Sequence, residues 1–526
     1  MQDAPRTVAG ILERGCAIDP QAEALVGRGF RFTYEGLHDA VERAAGGLAA
    51  LGIGTGDRVA ASMGNRPELV VAFLATMRLG GVWVGINRLL APPEKQFVLD
   101  DAGVSVFFAD DDVADRLEAA IPDLPRLHHL IRVGHDEPGS PWQRVLDGDP
   151  TALPPLDTID PSLPAAISYT SGTTGQPKGV VHSQHNLLLP GLYLASTPEY
   201  PVGIRLGLNM PLTILNLVIL GPLVAFSAAE CCVLVDRTDV EGLTEWVRSE
   251  RIETMAAVPT TLYDLTTNPA VDVAALSSWR LVQTGGADCP DSLLDDMYER
   301  LGKFVTRSYG LTEAPTLVTV EDGAPPRVKG SSGKPLPYLE VVIVDDDDQP
   351  VPQGEVGEIC VRAASSGPWA HTWTPMLHYL HDPEATAVTL RNGLLHTGDV
   401  GRLDQDSNLF VTDRRSNLII RGSANVYPAE VERVLQAFPS IAGSAVVGRP
   451  DARLGERVVA YVELASDTDL ESLREHCLQH LARYKVPAEF IVVDELPRNA
   501  MGKVAKTELT TMTGVPLGAS STSAPT

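Results

Sequence analysis

Residues 57–86 alternate between two hydrophobic periodicities, and that alternation restricts the chain to one class of fold. Asp57-Arg-Val-Ala-Ala-Ser-Met63 reads as a strand, Pro67-Glu-Leu-Val-Val-Ala-Phe-Leu-Ala-Thr-Met-Arg78 as a helix, and Gly80-Gly-Val-Trp-Val-Gly-Ile86 as a second strand. Strand, helix and strand in such close succession make a crossover unit whose strands are parallel. Apolar β-branched runs keep alternating with amphipathic helical patterns through about the first 400 residues, so an α/β architecture follows.

The pattern changes twice further on. From Leu339 it becomes hairpin-rich: Glu340-Val-Val-Ile-Val344, a turn at Asp345-Asp-Asp-Asp348, then Gly357-Glu-Ile-Cys-Val-Arg362. Four consecutive aspartates in a loop read as a solvated turn rather than a cation site. After the strand-like Asn408-Leu-Phe-Val-Thr412 a different α/β pattern begins near Arg414 and runs to about residue 512, which predicts domains over 1–414 and 415–512. Residues 513–526, rich in Ser, Thr, Ala and Pro, read as a disordered tail, and Asp136 to Pro164 as a Pro- and Asp-rich connection.

Composition removes several classes of function. The 526 residues are 44% hydrophobic and 21% charged, which excludes a disordered scaffold. A formal charge of −26 opposes nucleic acid and anionic membrane, so anionic ligands must be held by local groups and backbone amides. The six cysteines (Cys16, Cys231, Cys232, Cys289, Cys360 and Cys477) have no C-x-x-C spacing or zinc-like pattern and fit a reducing cytoplasm, and the N-terminus lacks a signal-peptide profile. The uncharged run 206–229 is long enough to span a bilayer, but its Asn209, Pro211, Asn216 and Pro222 point instead to buried core that also walls an apolar pocket.

The sharpest motif is Tyr169-Thr-Ser-Gly-Thr-Thr-Gly-Gln-Pro-Lys-Gly-Val180, placed after the apolar Ala165-Ala-Ile-Ser168. Gly172 and Gly175 let the backbone turn its N–H groups inward, Ser171, Thr173 and Thr174 add hydroxyl donors, and Lys178 adds a point charge, which together suit a polyphosphate. The spacing is not that of a Walker loop, and Pro177 discourages the helix such a loop feeds. Only eight of the 42 basic residues are lysine, so a lysine in this loop is a selective choice.

This loop resembles the signature of the adenylate-forming superfamily, which includes acyl-CoA synthetases, luciferases and non-ribosomal adenylation domains, and further motifs follow in order. Gly285-Gly286-Ala287 is similar to the adenine-side loop, and Tyr309-Gly310-Leu311-Thr312-Glu313 to the motif whose aromatic stacks on adenine and whose acid holds magnesium. Thr397-Gly-Asp399 resembles the turn whose aspartate binds the ribose hydroxyls, and Arg414 sits where the family has a nucleotide-contacting arginine. Pro497-Arg-Asn-Ala-Met-Gly-Lys503 matches the motif of the catalytic lysine; a lysine bridging carboxylate and α-phosphate neutralises charge that grows in the transition state. The resemblance implies catalytic roles for Lys503, Glu313 and Thr170, with Glu313 also the metal ligand. It further implies a thiol-side contact at Gly422 and Ser423 and a hinge at Ser416.

Differences from the family pattern bear on the substrate. Ser416 and Ser423 replace the usual hinge residue and second glycine, and Gln184 stands where many members have histidine. Asn209 to Leu217 lacks the aromatic and histidine of the family's Pro-Leu-Phe-His motif, and no acid between 206 and 229 could pair with a substrate ammonium. The acid pocket is therefore expected to be apolar, drawn from Leu208, Leu212, Leu215, Asn216 and Leu311.

The resemblance implies a large multi-subdomain N-terminal domain with mixed sheets and a small β-barrel-like part, plus a smaller mobile α/β C-terminal domain. It implies an ATP-dependent ligase that makes an acyl-adenylate from an apolar carboxylic acid and passes the acyl group to coenzyme A, with Mg2+ as cofactor. Its partner is then a small-molecule acid rather than nucleic acid or a membrane span, and homo-oligomerisation stays open. Loading of a separate carrier protein and a catalytically lapsed nucleotide-binding protein are the rival readings.

Overall fold

The computed structural model describes residues 5–512 and 515–516, apart from 135–136, 171–176, 198–202, 286–288, 324, 415–416, 418, 422–423, 452–454, 482, 499–503 and 510–511. The expected crossover is present: Arg58–Ser62 and Val82–Gly85 are parallel, with Arg58 opposite Val82, and Pro67–Arg78 is the intervening helix. Pro67 sits in the first turn, where a missing N–H interrupts no helical bond. Every residue of this helix is buried, and Phe73 packs edge-on against Trp83 at 5.6 Å, so the helix is core on all sides.

The chain divides into two compact units, Met1–Val341 with Val361–His396, and Val342–Cys360 with Thr397–Thr526. The first holds two large sheets. One has seven strands, ordered His378–Tyr379, Lys178–Ser183, Pro164–Thr170, Val82–Gly85, Arg58–Ser62, Val106–Ala109 and His129–Arg132. Its last five are mutually parallel, and the first two are antiparallel additions. The other has nine strands, with six parallel ones at its centre: Val305–Leu311, Leu281–Gly285, Thr254–Ala256, Arg205–Leu208, Cys231–Leu234 and Glu23–Gly27.

Strand order reverses about Arg205–Leu208: the next strand in sequence, Cys231–Leu234, lies on one side of it, and the following one, Thr254–Ala256, on the other. In open α/β sheets such a reversal opens a crevice at the carboxyl ends of the strands. Asn209 to Leu217 leaves from that end. The run 206–229 forms a strand, the helical turn Leu215–Val218, a π-helical turn Ile219–Leu223 containing Pro222, and Val224–Ser227, and it is core rather than a membrane span. Among the described residues no helix is long and apolar enough to cross a membrane.

The remaining strands form two smaller sheets. Leu339–Val344, Gly357–Ala363, Leu394–Leu403 and Leu390–Arg391 form one, with Leu409–Arg414 beside Leu394–Leu403. Asp345 closes its tight turn by accepting the N–H groups of Asp347 and Gln349, both at 2.9 Å, and Asp345 to Asp347 are exposed, as a solvated turn requires. The other sheet belongs to the second unit and is centred on Gly455–Leu464, paired antiparallel with Ile441–Asp451 and parallel with Glu489–Val492. The helices Pro428–Gln436 and Leu470–His480 bury Val431, Leu435, Leu473 and Cys477 in the same core as this sheet. All six cysteines are free.

Candidate active site

The glycine- and hydroxyl-rich loop is a hairpin connection. Pro164–Thr170 and Lys178–Ser183 run antiparallel with Thr170 opposite Lys178, so the chain leaves and re-enters the sheet at one point. Ser171, Gly172, Thr173, Thr174 and Gly175 lie outside the described residues. Pro177 is followed by a strand, consistent with its bar on helix. Tyr169 Oη anchors the hairpin by donating to Asp101 Oδ2 at 2.6 Å. Lys178 Nζ lies 2.9 Å from Asp382 Oδ2 and 5.3 Å from the centre of the Tyr379 ring. The N–H of Ala385, and after it Lys178, hold the Asp382 carboxyl below its usual range.

Tyr309 and Gly310 lie in the strand Val305–Leu311, and Glu313 follows its end. Gly310 is required by contact: a Cβ there would stand 1.6 Å from the carbonyl oxygen of Thr316 on the antiparallel neighbour. Three contacts hold the residues after it. The His182 Nε2–H donates to the Thr312 carbonyl at 2.8 Å, the Met376 N–H to the Glu313 carbonyl at 2.8 Å, and Tyr379 Oη to Glu313 Oε1 at 2.7 Å. Burial pushes the His182 imidazole down to about 4, so it is neutral and its proton sits on the nitrogen facing Thr312. Burial, then the Glu313 charge, pushes the Tyr379 phenol up and keeps it a donor.

This arrangement fits magnesium. Among the described residues Glu313 Oε2 has no hydrogen-bond partner and the side chain is only half-buried, so a hard carboxylate oxygen of the kind magnesium takes is open on this residue.

The segment expected to line the acid pocket is held by Asn65. Asn65 Nδ2 donates to the Met210 carbonyl at 2.8 Å and Asn65 Oδ1 accepts the Leu212 N–H at 2.9 Å. The Thr213 carbonyl closes on Gly85, where a Cβ would come within 2.2 Å. Leu208, Leu212 and Leu215 are core residues with exposures of 4%, 1% and 2%, whereas Asn216 and Leu311 are half-buried. Gly285 ends the strand Leu281–Gly285, its missing side chain making room for Ser308 Oγ; Gly286 and Ala287 lie outside the described residues.

In the second unit, Thr397 Oγ1 donates to the Ile359 carbonyl at 2.7 Å and accepts the Asp399 N–H at 3.1 Å. Gly398 has φ +72°, which favours glycine, and its N–H donates to Glu358 Oε1 at 3.3 Å. Asp399 is 6% exposed and stands opposite Arg414 across the ladder, so the two residues expected to contact the nucleoside share one position of one sheet. Lys503, Ser416, Gly422 and Ser423 lie outside the described residues.

Sequence reasoning missed Tyr379, His182, Asp382 and Asn65. Tyr379 lies 66 positions from Glu313, and His182 lies 130 from Thr312, so no local periodicity could join them.

Two family descriptions match the chain: AMP-binding enzyme over residues 12–367, and AMP-binding enzyme C-terminal domain over 430–503. The indoleacetate–CoA ligase of Aromatoleum aromaticum is 34% identical over 95% of this chain and 96% of that protein. The fatty acid–[acyl-carrier-protein] ligase ScoC of Streptomyces coeruleorubidus is 32% identical over 93% of each. The crystal structure of the anthranilate CoA ligase AuaEII in complex with anthranoyl-AMP superposes with a TM-score of 0.86 at 25% identity, covering 97% of this chain and 98% of that one. With two family descriptions matched in chain order over most of its length, the chain belongs to the AMP-binding enzyme family.

Proposed function

We propose that this enzyme activates a largely apolar, uncharged-tailed carboxylic acid in the cytoplasm, with Lys178, Glu313, Asp399 and Lys503 as its principal chemical groups. The chain is an AMP-forming acid–thiol ligase: ATP and the acid give an acyl-adenylate and pyrophosphate, and coenzyme A then takes the acyl group. Magnesium, when bound, neutralises phosphate charge and orients the departing pyrophosphate.

The observation that carries this reading is the convergence of Lys178 and Glu313 on Tyr379, which joins the polyphosphate hairpin to the proposed metal ligand in one unit. In the proposed chemistry Lys178 offsets charge on the transferred-away phosphates, Asp399 accepts the ribose hydroxyls, and Lys503 bridges the attacking carboxylate and the α-phosphate. The apolar acid is supported by the run Leu206 to Ala229, which contains no acidic or basic residue. The family matches at 12–367 and 430–503 leave a gap that contains the proposed boundary at 414–415 and hinge Ser416.

The test is acid-dependent pyrophosphate release with linear, aromatic, alicyclic, dicarboxylic and amino acids. It is followed by transfer of the labelled acyl group to coenzyme A or to a phosphopantetheinylated carrier protein. Apolar monoacids and coenzyme A should be preferred. Better turnover with an amino acid than with its deaminated analogue would overturn the acid assignment, and carrier-only transfer would favour the ScoC-like activity.

A further inference from the structure

We propose that Tyr379 is a positioning residue of the adenylation step, fixing the carboxylate of Glu313 for magnesium and steering Lys178 along the same edge. The inference deepens the reading of Glu313 as the magnesium ligand and rests on it.

A glutamate after a strand end has three side-chain torsions and loses rotamer freedom when it takes up a metal. The Tyr379 hydroxyl, 2.7 Å from Glu313 Oε1, removes most of that freedom in advance. A carboxylate only accepts, so the phenol donates, and Oε2 is left for the metal. The other face of the same residue works on the cation: Lys178 Nζ stands 5.3 Å from the ring centre, within cation–π range.

Tyr379 is itself fixed on three sides. It stands opposite Val180 in a two-residue strand added to Lys178–Ser183. The N–H groups of Leu377 and Leu380 donate to the carbonyls of Val181 and Gly179 at 2.8 and 2.7 Å, and its own N–H donates to Thr386 Oγ1 at 2.9 Å. The hairpin that ends in Lys178 thus sets the place of Glu313 through one phenol. A second donor, the Met376 N–H, holds the Glu313 backbone but leaves its carboxylate free to turn.

The experiment titrates full-length enzyme with ATP calorimetrically, once with magnesium and once with EDTA. It uses the parent, Tyr379→Phe, Glu313→Gln and the double variant, with melting curves to establish folding. Phenylalanine keeps the ring and removes only the hydroxyl. Tyr379→Phe is expected to weaken binding of magnesium-ATP about tenfold, to leave metal-free ATP unchanged, and to add nothing in the Glu313→Gln background. Thioester formation from presynthesised acyl-adenylate should persist while adenylation slows. If Glu313→Gln loses the magnesium-dependent gain but Tyr379→Phe keeps it, or if the two losses add in full, the role of Tyr379 is overturned and that of Glu313 stands. If Glu313→Gln binds magnesium-ATP like the parent, the metal-ligand reading fails and the Tyr379 inference fails with it.

Discussion

Lys178 Nζ lies 2.9 Å from Asp382 Oδ2, so the cation of the phosphate hairpin is paired with a carboxylate of the same unit before any phosphate arrives. A polyphosphate taken up by Lys178, as proposed, would compete with that carboxylate. Asp382→Asn removes the competing charge while its side-chain oxygen still caps the helix Pro383–Thr389 through the Ala385 N–H. Because both partners are partly exposed, the expected effect is modest: ATP should bind about twofold to fivefold more tightly, most visibly at low salt. Titration at two ionic strengths measures it.

Asp399→Ala should weaken ATP binding by about a hundredfold or more, with little change in affinity for the acid. A buried ribose would lose charge-assisted hydrogen bonds worth about 1.5–3 kcal/mol each. An unchanged ATP dissociation constant would remove Asp399 from the nucleotide site.

Lys503→Ala should abolish most adenylation yet spare thioester formation from presynthesised acyl-adenylate, since the second step involves no attack on ATP. Lys503→Arg should fail as well, because a planar fork does not replace a compact ammonium. Equal loss of both half-reactions in folded protein would contradict the role.

Gly310→Ala tests the packing beneath the Tyr309–Glu313 motif. The added methyl would meet the Thr316 carbonyl oxygen at 1.6 Å, so the strand pair must part. Overpacking of this kind costs about 1–3 kcal/mol, read as a lower midpoint of denaturant unfolding, and adenylation should fall with it.

Glu230 gives a pH-dependent prediction away from the site. It is 1% exposed, among the described residues neither side-chain oxygen has a partner, and burial, then the charge of Glu253, pushes its carboxyl up from 4.5 to about 8. The folded chain therefore holds a proton that the unfolded chain releases near its ordinary value. Stability should fall as pH rises through that window, by at most about 1.4 kcal/mol per pH unit, and level off above it. Glu230→Gln should flatten the dependence and be the more stable protein at pH 8. A parent protein whose melting temperature does not decline between pH 5 and 8 relative to this variant would refute the assignment.

What the sequence made legible was what is local. The crossover at Asp57–Ile86, the turn at Asp345–Asp348 and the strand before Arg414 each follow from periodicity or turn chemistry within a few residues, and each is present. The sequence reads 171–177 as an anion loop, a reading whose residues fall mostly outside the described ones, while the pairing of Thr170 with Lys178 across it is not specified by a strand-then-loop pattern. Leu208, Leu212 and Leu215 show the ambiguity of an apolar run: the hydrophobicity that marks a pocket wall marks core equally, and these three are buried core. Tyr379 and His182 were invisible because their partners, Glu313 and Thr312, lie in a turn far away in sequence that topology brings alongside.

The opposition of Thr170 and Lys178 also sets how this protein responds to changes of length. Lys178, Val180 and His182 share one face of their strand because side chains alternate. A residue gained or lost inside 171–177 would leave that alternation in place but would change the spacing of Gly172, Gly175 and Lys178 on which the proposed phosphate site depends. A residue deleted within Lys178–Ser183 turns the following side chains over, presenting Gly179, Val181 and Ser183 where a cation, an apolar contact and an imidazole now stand. Changes of length should therefore be purged from this plain apolar strand as strictly as from the glycine-rich loop before it, although most of the strand's residues carry no chemistry of their own.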